Sequence, residues 1–334
     1  MEILLVDQSE VPRFLPMSEC IGVMEQTLAQ LARGETIQPL RSILWLPETV
    51  GALGLMPAAL LPQKVLGVKA ITFFHGNEGT RLDTHQGAVL LFEAEQGRLL
   101  AVIDATSITA IRTAAVSGAA TRLLAREDAG DLALVGSGVQ ARTHLEAMML
   151  VRRIRRARVA SKDFERARDF AQRESRRHGI EVEPFASVRD AARGADILCT
   201  ATSSREPVLA GEWLEPGAHV NAVGSSVPSA RELDTAAVVK SRLFVDRCES
   251  ALNEAGDFLI PQKEGAINPD HIVGEIGEAL IGRVPGRRAR QEITLFKSLG
   301  LAIEDVACAR HIYEKARAAG GRFLEFGGER HAGN

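Results

Sequence analysis

A short glycine pattern in the middle of the chain constrains its fold most. Residues 132–141 read LALVGSGVQA, so four apolar residues lead into Gly136-x-Gly138-x-x-Ala141. This pattern is typical of a strand, a tight turn and a helix start that bind a dinucleotide pyrophosphate. Gly136 makes the turn, Gly138 lets the backbone approach the phosphates, and the small Ala141 lets helix and strand pack closely. The helix N-terminus adds unpaired N–H groups and a partial positive charge.

The sequence around the glycines supplies the context that this motif requires. An apolar strand precedes it, and residues 140–151 form a helix-competent run after it. The alternative interpretation is an ordinary strand-to-helix turn. We favour a dinucleotide site, whose predicted contacts in this segment are Gly136, Ser137, Gly138, Val139 and Gln140.

Length, composition and charge narrow the class of protein. The chain has 334 residues, of which 46% are hydrophobic and 25% charged, which suits a globular protein of two domains. The net charge of −3 gives no electrostatic argument for binding nucleic acid. No apolar run approaches the ~20 residues of a membrane span. Glu2 and Asp7 stand where a secretory signal would be basic, so we expect no signal peptide.

The four cysteines are scattered, at positions 20, 199, 248 and 308, without a C-x-x-C pair. This pattern favours a reducing cytoplasm over a disulfide framework or a zinc site. The His, Asp and Glu residues show no metal-ligand spacing either, so we predict no bound metal.

Strand-like and helix-like segments alternate from about residue 128 onward, which is typical of a parallel sheet with helices on both faces. The candidate strands are 132–135, 158–161, 181–184, 197–201, 218–223 and 243–246, and the candidate helices are 140–151, 164–178 and 187–193. We therefore predict an α/β fold with a Rossmann-type, doubly wound parallel sheet.

The chain before residue 126 shows a different pattern. Its strand-like segments are 65–74, 88–92 and 99–103, with a hairpin turn at 95–98, and its helical segments are 18–33 and 111–124. The amphipathic segment 301–319 could return to pack on this region. We therefore predict a discontinuous α+β domain of residues 1–125 plus 303–334, with the dinucleotide domain at 126–302.

A basic run, RRIRR at residues 152–156, raises the question of nucleic-acid binding. It follows the first predicted helix of the dinucleotide domain and has no aromatic partners for stacking bases. A solvated helix end is the favoured interpretation.

The end of the second predicted strand of this domain bears on the choice of dinucleotide. Proteins that bind NAD usually place a carboxylate there against the ribose hydroxyls. This chain has Ser161 followed by Lys162, which suit a 2′-phosphate that a carboxylate would repel. NADP(H) is therefore favoured over NAD(H). Asp163 leaves NAD open, because a one-residue slip would make it the ribose ligand, although it can equally cap the next helix.

Small polar residues follow two further predicted strands. Ligands of open α/β sheets bind beyond the carboxyl ends of the strands. Ala201 ends the predicted strand 197–201 and Thr202 follows it, while Val223 ends the predicted strand 218–223 and Ser226 lies in the loop after it. We expect Ala201, Thr202 and Val223 to line the nicotinamide half of the dinucleotide, while ordinary helix capping is the simpler interpretation of any single Ser or Thr.

Three cations interrupt apolar sequence in the first domain. They are Arg41, Lys69 and Arg112, and Lys69 lies within a strand too apolar to predict a lysine. A buried cation needs an anion, and three converging cations would suit a substrate carboxylate. Separate surface ion pairs are an equally good interpretation of the composition alone.

At these residues the chain resembles the ornithine cyclodeaminase/mu-crystallin family over nearly its whole length. The matching segments are 67–69, 84–87, 112–115, 136–141, 206–209, 216–224, 231–234, 254–257 and 296–300. This family includes ornithine cyclodeaminases, reductases of cyclic ketimines such as Δ1-pyrroline-2-carboxylate, amino-acid dehydrogenases and enzymes that make opine-like metabolites. The resemblance also implies a homodimer joined through the first domain.

The resemblance assigns roles to individual residues. It implies that Arg41, Lys69 and Arg112 hold the substrate carboxylate, with Thr84 close by, and that Lys69 and Arg112 serve catalysis. The further cofactor contacts that we predict are Thr84, His85, Arg112 and Ser298. Residues 161–163 align with an Asn-Arg-Thr type segment of NADP-binding relatives, which agrees with the preference for NADP(H).

One departure from the family pattern concerns the substrate. Ornithine cyclodeaminases carry an aspartate for the substrate amine in the loop where this chain has Ser226. A diamine would lose its charge partner there, and burying an ammonium without one costs several kcal/mol. The loop is more similar to those of imine reductases, so Ser226 is included in the predicted substrate site.

We therefore hypothesise an NAD(P)H-dependent reductase that converts Δ1-pyrroline-2-carboxylate or Δ1-piperideine-2-carboxylate to L-proline or L-pipecolate. The alternatives are an ornithine cyclodeaminase, an amino-acid dehydrogenase, and a non-catalytic protein that binds NADPH and a small carboxylate. Hydride transfer to an imine needs no histidine base, so His85, His219 and His271 are expected to be structural or to contact the cofactor.

Overall fold

The computed structural model describes residues 2–327. Spatial contacts divide the chain into two compact units. Unit 1 comprises the chain up to Arg112 together with the chain from Leu301 onward, and unit 2 comprises Thr113–Gly300. The domain boundaries that we predict, after residues 125 and 302, stay predictions. The two units follow from the density of contacts, which does not test where a domain begins.

The strands of the described residues are numbered in chain order. They are β1 (Glu2–Val6), β2 (Thr36–Ile37), β3 (Ser42–Trp45), β4 (Ala52–Leu60), β5 (Val65–Phe73), β6 (His85–Glu93), β7 (Leu99–Asp104), β8 (Asp131–Val135), β9 (Arg156–Ala160), β10 (Val182–Phe185), β11 (Ile197–Thr200), β12 (His219–Ala222), β13 (Ser241–Val245), β14 (Ile272–Glu275), β15 (Ile293–Lys297) and β16 (Phe323–Glu325).

The α-helices are numbered in the same way. They are α1 (Val11–Phe14), α2 (Met17–Ala32), α3 (Ala105–Leu124), α4 (Val139–Val151), α5 (Phe164–His178), α6 (Val188–Ala192), α7 (Thr235–Val239), α8 (Cys248–Glu254), α9 (Gly256–Lys263), α10 (Ile276–Leu280) and α11 (Ala302–Ala318). None of the helices within residues 2–327 has the length and hydrophobicity needed to cross a membrane.

Unit 1 is built on a mixed sheet with the strand order β16-β1-β7-β6-β5-β4-β2, and β3 pairs with β4. Its central strands β4, β5, β6 and β7 are antiparallel neighbours, while β1 and β7 are parallel. Helix α11 packs on this sheet and on α2. The prediction that the segment 301–319 returns to pack on the first region is therefore confirmed.

The two faces of this sheet differ in their surroundings. Burial alternates along β4 and β5 because successive side chains of a strand point to opposite faces. On one face Met56, Lys69 and Ile71 are buried. The other face, which we call the open face, carries Leu55 and Leu66 at 41% and 40% exposure in the single chain. Both leucines are therefore apolar side chains that the described residues 2–327 leave partly accessible to solvent.

Unit 2 contains a parallel sheet with the strand order β10-β9-β8-β11-β12-β15-β13-β14. From β8 the chain first adds β9 and β10 on one side and then continues with β11 and β12 on the other. This reversal is the mark of a doubly wound sheet, and it leaves a crevice at the carboxyl ends of β8 and β11. The predicted α/β, Rossmann-type fold with a second α+β unit is confirmed.

Candidate active site

The glycine-rich turn of unit 2 has the geometry of a pyrophosphate site. Gly136 follows β8 with φ +112°, where a side chain would be strained, and a Cβ there would lie 2.5 Å from the carbonyl oxygen of Ala201. Gly138 is the N-cap of α4 and offers no side chain to cap it. A Cβ on Gly138 would meet no described atom within 4 Å. The turn therefore leaves open space in front of a helix N-terminus, which fits a dinucleotide diphosphate.

The other predicted residues of this turn lie beside it. Ser137 and Gln140 are half-buried, and Val139 is 54% exposed at the first position of α4. The five predicted contacts thus sit together at the carboxyl end of β8. Their roles toward a cofactor stay predictions.

The residues after β9 show how the chain uses Asp163. Its Oδ1 accepts hydrogen bonds from the backbone N–H groups of Glu165 and Arg166, at 3.0 and 3.4 Å, and so caps α5. Ser161 is half-buried and Lys162 is exposed. Asp163 therefore has the helix-capping role that the sequence allowed. The assignment of Ser161, Lys162 and Asp163 to the cofactor stays a prediction.

Backbone hydrogen bonds bring three more predicted cofactor residues to the same edge of the sheet. The N–H of Ala201 donates to Val135, that of Val223 to Thr200, and that of Ser298 to Ala222, at 2.8 to 3.0 Å. Each bond continues strand pairing one residue past the end of a strand. The loops after β11, β12 and β15 consequently leave the sheet side by side at the crevice.

Sequence reasoning missed the residue that connects two of these loops. Glu232 is fully buried, and its carboxylate accepts hydrogen bonds from Thr202, a predicted cofactor residue, and from the backbone of Gly224. Ser226 is half-buried in the loop after β12, where its neighbour Ser225 donates to the carbonyl of Ala230. Only the matched segment 231–234 pointed toward Glu232 in the sequence.

Unit 1 contains a buried cluster of charges around Lys69. The Nζ of Lys69 lies 2.7 Å from Oδ2 of Asp305. Arg112 donates from Nε to Oδ1 of Asp305 at 3.1 Å and from Nη1 to Oε2 of Glu304 at 2.8 Å. All four side chains are at most 5% exposed. Lys69 comes from β5, Arg112 from α3, and the two acids from the first turn of α11.

Burial and neighbouring charges set the protonation of this cluster. Burial lowers the pKa of Lys69 to about 8; Asp305 opposes that shift, and Arg112 and Arg41 add to it. Burial also works against the charge of Arg112, but Asp305 and Glu304 outweigh it and raise its pKa. The ammonium of Lys69 is therefore poised to give up a proton near neutral pH, whereas Arg112 stays charged.

Arg41 completes this group, which we call the charge cluster: Arg41, Lys69, Arg112, Glu304 and Asp305. Arg41 is half-buried just before β3. The segment that carries it is anchored by Gln38, whose Oε1 accepts from the N–H of Ile303 at 2.9 Å. Arg41 is close enough to Lys69 for its charge to lower the pKa of that amine. Guanidinium and ammonium groups gathered in this way are the kinds of donor that bind a carboxylate.

Thr84 and His85 lie at the start of β6. The hydroxyl of Thr84 and Nδ1 of His85 are 2.9 Å apart, and the ring of His85 meets that of Phe73 edge-on at 4.7 Å. Strand register pairs Lys69 with Val89, four residues beyond His85. The structure thus groups Arg41, Lys69 and Arg112. Thr84 and His85 lie apart from this group along the sheet, at the start of β6.

His219 and His271 lie beside polar groups of the protein. His219 is buried beside Thr294 and Asn221, and burial lowers its pKa to about 3. His271 Nε2 lies 2.9 Å from the carbonyl oxygen of Val238. Among residues 2–327, no group of three or more His, Cys, Asp or Glu side chains is placed to hold a metal ion.

Known proteins resemble this chain over most of its length. The model of the ornithine cyclodeaminase/mu-crystallin family matches residues 1–320. The chain belongs to this family. Its match to the ketimine reductase mu-crystallin of Mus musculus is 39% identical over 297 residues, which cover 88% of this chain and 91% of that protein. The family resemblance predicted from the sequence is confirmed.

Two solved structures resemble the whole chain. Δ1-Pyrroline-2-carboxylate reductase of Thermococcus litoralis, in complex with NADH and L-proline, has a TM-score of 0.93 and 41% identity, covering 96% of this chain and 99% of that one. An archaeal alanine dehydrogenase dimer with bound NAD has a TM-score of 0.92 and 33% identity, covering 98% of this chain and 100% of that one.

Proposed function

We propose that this chain is an NAD(P)H-dependent reductase of a cyclic imino acid such as Δ1-pyrroline-2-carboxylate or Δ1-piperideine-2-carboxylate. The observation that carries the proposal is the buried charge cluster, in which Lys69 contacts Asp305 beside Arg112. The similarity to ketimine and Δ1-pyrroline-2-carboxylate reductases supports it. The products would be L-proline or L-pipecolate.

The charge cluster would bind the carboxylate of the substrate. Arg112 and Arg41 offer guanidinium groups, which match a carboxylate in bidentate geometry. Arg112 is held by Glu304 and Asp305, so its direction is fixed before the substrate arrives. Such preorganisation lowers the cost of ordering the site and contributes to the rate.

Lys69 is the proposed proton donor of the reaction. A protonated imine is the better electrophile, so the reaction needs a proton at the imine nitrogen. A pKa of about 8 leaves the Lys69 amine mostly protonated at neutral pH and able to release that proton, as a general acid requires. A bound reduced nicotinamide would supply the hydride to the imine carbon.

The glycine-rich turn and α4 are proposed to hold the dinucleotide, and we favour NADP(H). Asp163 already caps α5 through Oδ1, while the neighbouring hydroxyl and ammonium of Ser161 and Lys162 suit a 2′-phosphate. The two related structures contain NADH and NAD, so the proposal of NADP(H) rests on Ser161 and Lys162 of this chain.

The alternatives differ in their use of ammonia. An amino-acid dehydrogenase, as in the archaeal alanine dehydrogenase relative, would need ammonia with an open-chain keto acid. A cyclodeaminase would release ammonia from ornithine, and Ser226 provides no charge for the second amine of such a substrate. A non-catalytic binding protein would catalyse none of these reactions.

A homodimer joined through the open face of unit 1 is also proposed. Leu55 and Leu66 are exposed there, together with Leu44 at 64% on β3, which strand register places beside Leu53 on the same face. An apolar sheet face of this kind fits a second copy of the same face, as in an isologous dimer. Leu55→Glu combined with Leu66→Glu should yield monomers in analytical ultracentrifugation, while Leu252→Glu, at a 40% exposed leucine of unit 2, should leave the mass unchanged.

The free cysteines support a reducing, cytoplasmic location.

The test of function compares substrates under identical conditions. NADPH and NADH oxidation is followed at 340 nm with Δ1-pyrroline-2-carboxylate without ammonia, and with pyruvate plus ammonia. L-Ornithine is assayed in parallel for ammonia release with NAD⁺. Rapid oxidation with the imine alone supports the reductase. Oxidation that requires ammonia supports the dehydrogenase, and ammonia from ornithine supports the cyclodeaminase.

A further inference from the structure

Glu232 joins two loops at the crevice of unit 2 through one carboxylate. Its Oε1 accepts from the backbone N–H and the hydroxyl of Thr202, at 2.6 and 2.7 Å. Its Oε2 accepts from the hydroxyl of Thr200 and the N–H of Gly224, both at 2.7 Å. The loops after β11 and β12 are therefore held by the same charged group, and such charge-assisted bonds are the stronger ones.

Further buried charges fix the position of this carboxylate. Oδ1 of Asp257 accepts from the backbone N–H groups of Glu232 and Leu233, at 2.8 and 2.9 Å. The other oxygen of Asp257 lies 3.1 Å from Nζ of Lys297, and both side chains are at most 3% exposed. Burial raises the pKa of Glu232, and the charge of Lys297 opposes that shift. Lys297 thus offsets part of the negative charge of Glu232 and Asp257.

The backbone around Glu232 leaves no room for adjustment. A Cβ on Gly224 would lie 2.2 Å from the carbonyl oxygen of Thr202 and 2.4 Å from Oε1 of Glu232. Likewise, the Cβ of an alanine at position 136 would meet the carbonyl of Ala201 at 2.5 Å. The glycine-rich turn and both loops are in direct contact, so the position of each loop depends on Glu232.

Sheet topology assigns these loops to one half of the dinucleotide. The diphosphate belongs at the turn after β8, and the adenosine ribose belongs at the end of β9. The loops after β11 and β12 lie on the opposite side of β8 in the strand order. They therefore face the nicotinamide half.

We infer that Glu232 is a positioning residue that holds the loops after β11 and β12 in the geometry that binds the nicotinamide half of the dinucleotide. The inference deepens the proposed function and rests on its dinucleotide site, but not on the identity of the imine. Glutamine in this position would keep the volume of the side chain. Its amide nitrogen cannot accept from N–H donors, so one of the two loops would lose its anchor.

The experiment compares two ligands that differ by the nicotinamide. Binding of NADH and of ADP-ribose is measured by calorimetry for the wild type, for Glu232→Gln and for Glu174→Gln. Glu174 is the matched control because it is also fully buried, in the C-terminal half of α5, whose N-terminus lies at the crevice edge. We expect Glu232→Gln to weaken NADH binding by about 10- to 100-fold, the effect of one or two lost charge-assisted hydrogen bonds, and to leave ADP-ribose binding unchanged.

Other outcomes overturn the inference. Equal weakening of NADH and ADP-ribose binding would make Glu232 a general structural residue of the fold, and unchanged binding of both would remove it from the site. If the wild type bound neither of these ligands nor NADPH, the dinucleotide site itself would be wrong. If the wild type bound NADH but reduced no imine, the proposed reaction would be wrong. The comparison of NADH with ADP-ribose would still test the role of Glu232.

A second variant keeps the inference testable if Glu232→Gln does not fold. Thr200→Val removes a hydroxyl that donates to Glu232, at a residue outside the predicted cofactor contacts, and leaves the carboxylate with its other partners. A smaller loss of NADH affinity is expected, again without loss of ADP-ribose affinity. Equal affinities of Thr200→Val and the wild type for NADH would contradict the inference.

Discussion

The ammonium nitrogen of Lys69 lies 2.7 Å from a carboxylate oxygen of Asp305, and neither side chain is more than 2% exposed. The other oxygen of Asp305 accepts from Arg112, so one acid orients both cations. Breaking a buried ion pair of this kind by removing one partner costs about 3–5 kcal/mol. The proposed proton donor and the proposed carboxylate ligand are thus held by the same group.

Asp305→Asn should move the pH dependence of the reaction. Asp305 raises the pKa of Lys69 against the effect of burial, so its neutralisation should lower that pKa further below about 8. Since the protonated amine is the active form, kcat/KM should decline at a lower pH than in the wild type. Profiles of kcat/KM between pH 6 and pH 9.5 provide the measurement. Glu93→Gln, which alters an acid at the end of β6, serves as the control. A basic limb that stays in place or moves upward would contradict this role for Asp305.

Lys69→Met should abolish most activity while the cofactor still binds. Loss of a general acid lowers kcat/KM by about 10²- to 10⁴-fold. The dissociation constant for NADPH should change little, because the cofactor residues proposed in unit 2 are untouched. Lys64→Met is the control, since Lys64 is exposed and pairs with Glu95. Turnover close to that of the wild type in Lys69→Met would remove Lys69 from the mechanism.

Gly138→Ala should separate cofactor binding from folding. A Cβ at this position meets no described protein atom within 4 Å, so the melting temperature should stay near that of the wild type. The same Cβ would occupy space that the diphosphate needs, and NADPH affinity should fall by about tenfold or more, corresponding to at least ~1.4 kcal/mol. Gly22→Ala in α2 is the control, because it also adds a methyl group in open space. Full NADPH affinity in Gly138→Ala would place the diphosphate elsewhere.

Lys162→Glu should reverse the preference between the two dinucleotides. A carboxylate repels a 2′-phosphate and can bond the ribose hydroxyls of NAD. The KM for NADPH should therefore rise by at least about tenfold, which is ~1.4 kcal/mol, while that for NADH stays constant or falls. Lys263→Glu makes the same charge change at an exposed residue at the end of α9 and should leave both values unchanged. An unchanged ratio in Lys162→Glu would argue against NADP(H) binding at this position.

The fold of unit 2 could largely be predicted from sequence because its signals are local. The predicted strands at 132–135 and 197–201 overlap β8 and β11, and the predicted helix 164–178 has the bounds of α5. In contrast, β15 joins the sheet between β12 and β13 although it follows both in the chain. Its place depends on pairing across some seventy residues, and no periodicity in a short apolar segment reveals such a partner.

The candidate site was harder to predict because its charges come from distant segments. Lys69 can be selected from the sequence alone, because a lysine is unexpected in an apolar strand whatever it pairs with. The partners proved to be Glu304 and Asp305, acids in an otherwise apolar helix start that we did not select. Asp305 lies more than two hundred residues from Lys69, so only the packing of α11 on β5 unites them. A pair of acids within the apolar residues 299–309 was the signal that could have found them.

Deuterium transfer tests the central claim most directly. The protein is incubated with NADPH carrying deuterium on either face of C4 and with Δ1-pyrroline-2-carboxylate, without ammonia, and the product is analysed by mass spectrometry. Reduction of the imine carbon predicts L-proline with one deuterium at Cα from one of the two labelled cofactors. Proline without label from both cofactors, or no proline while ornithine yields ammonia, would contradict the proposed reductase.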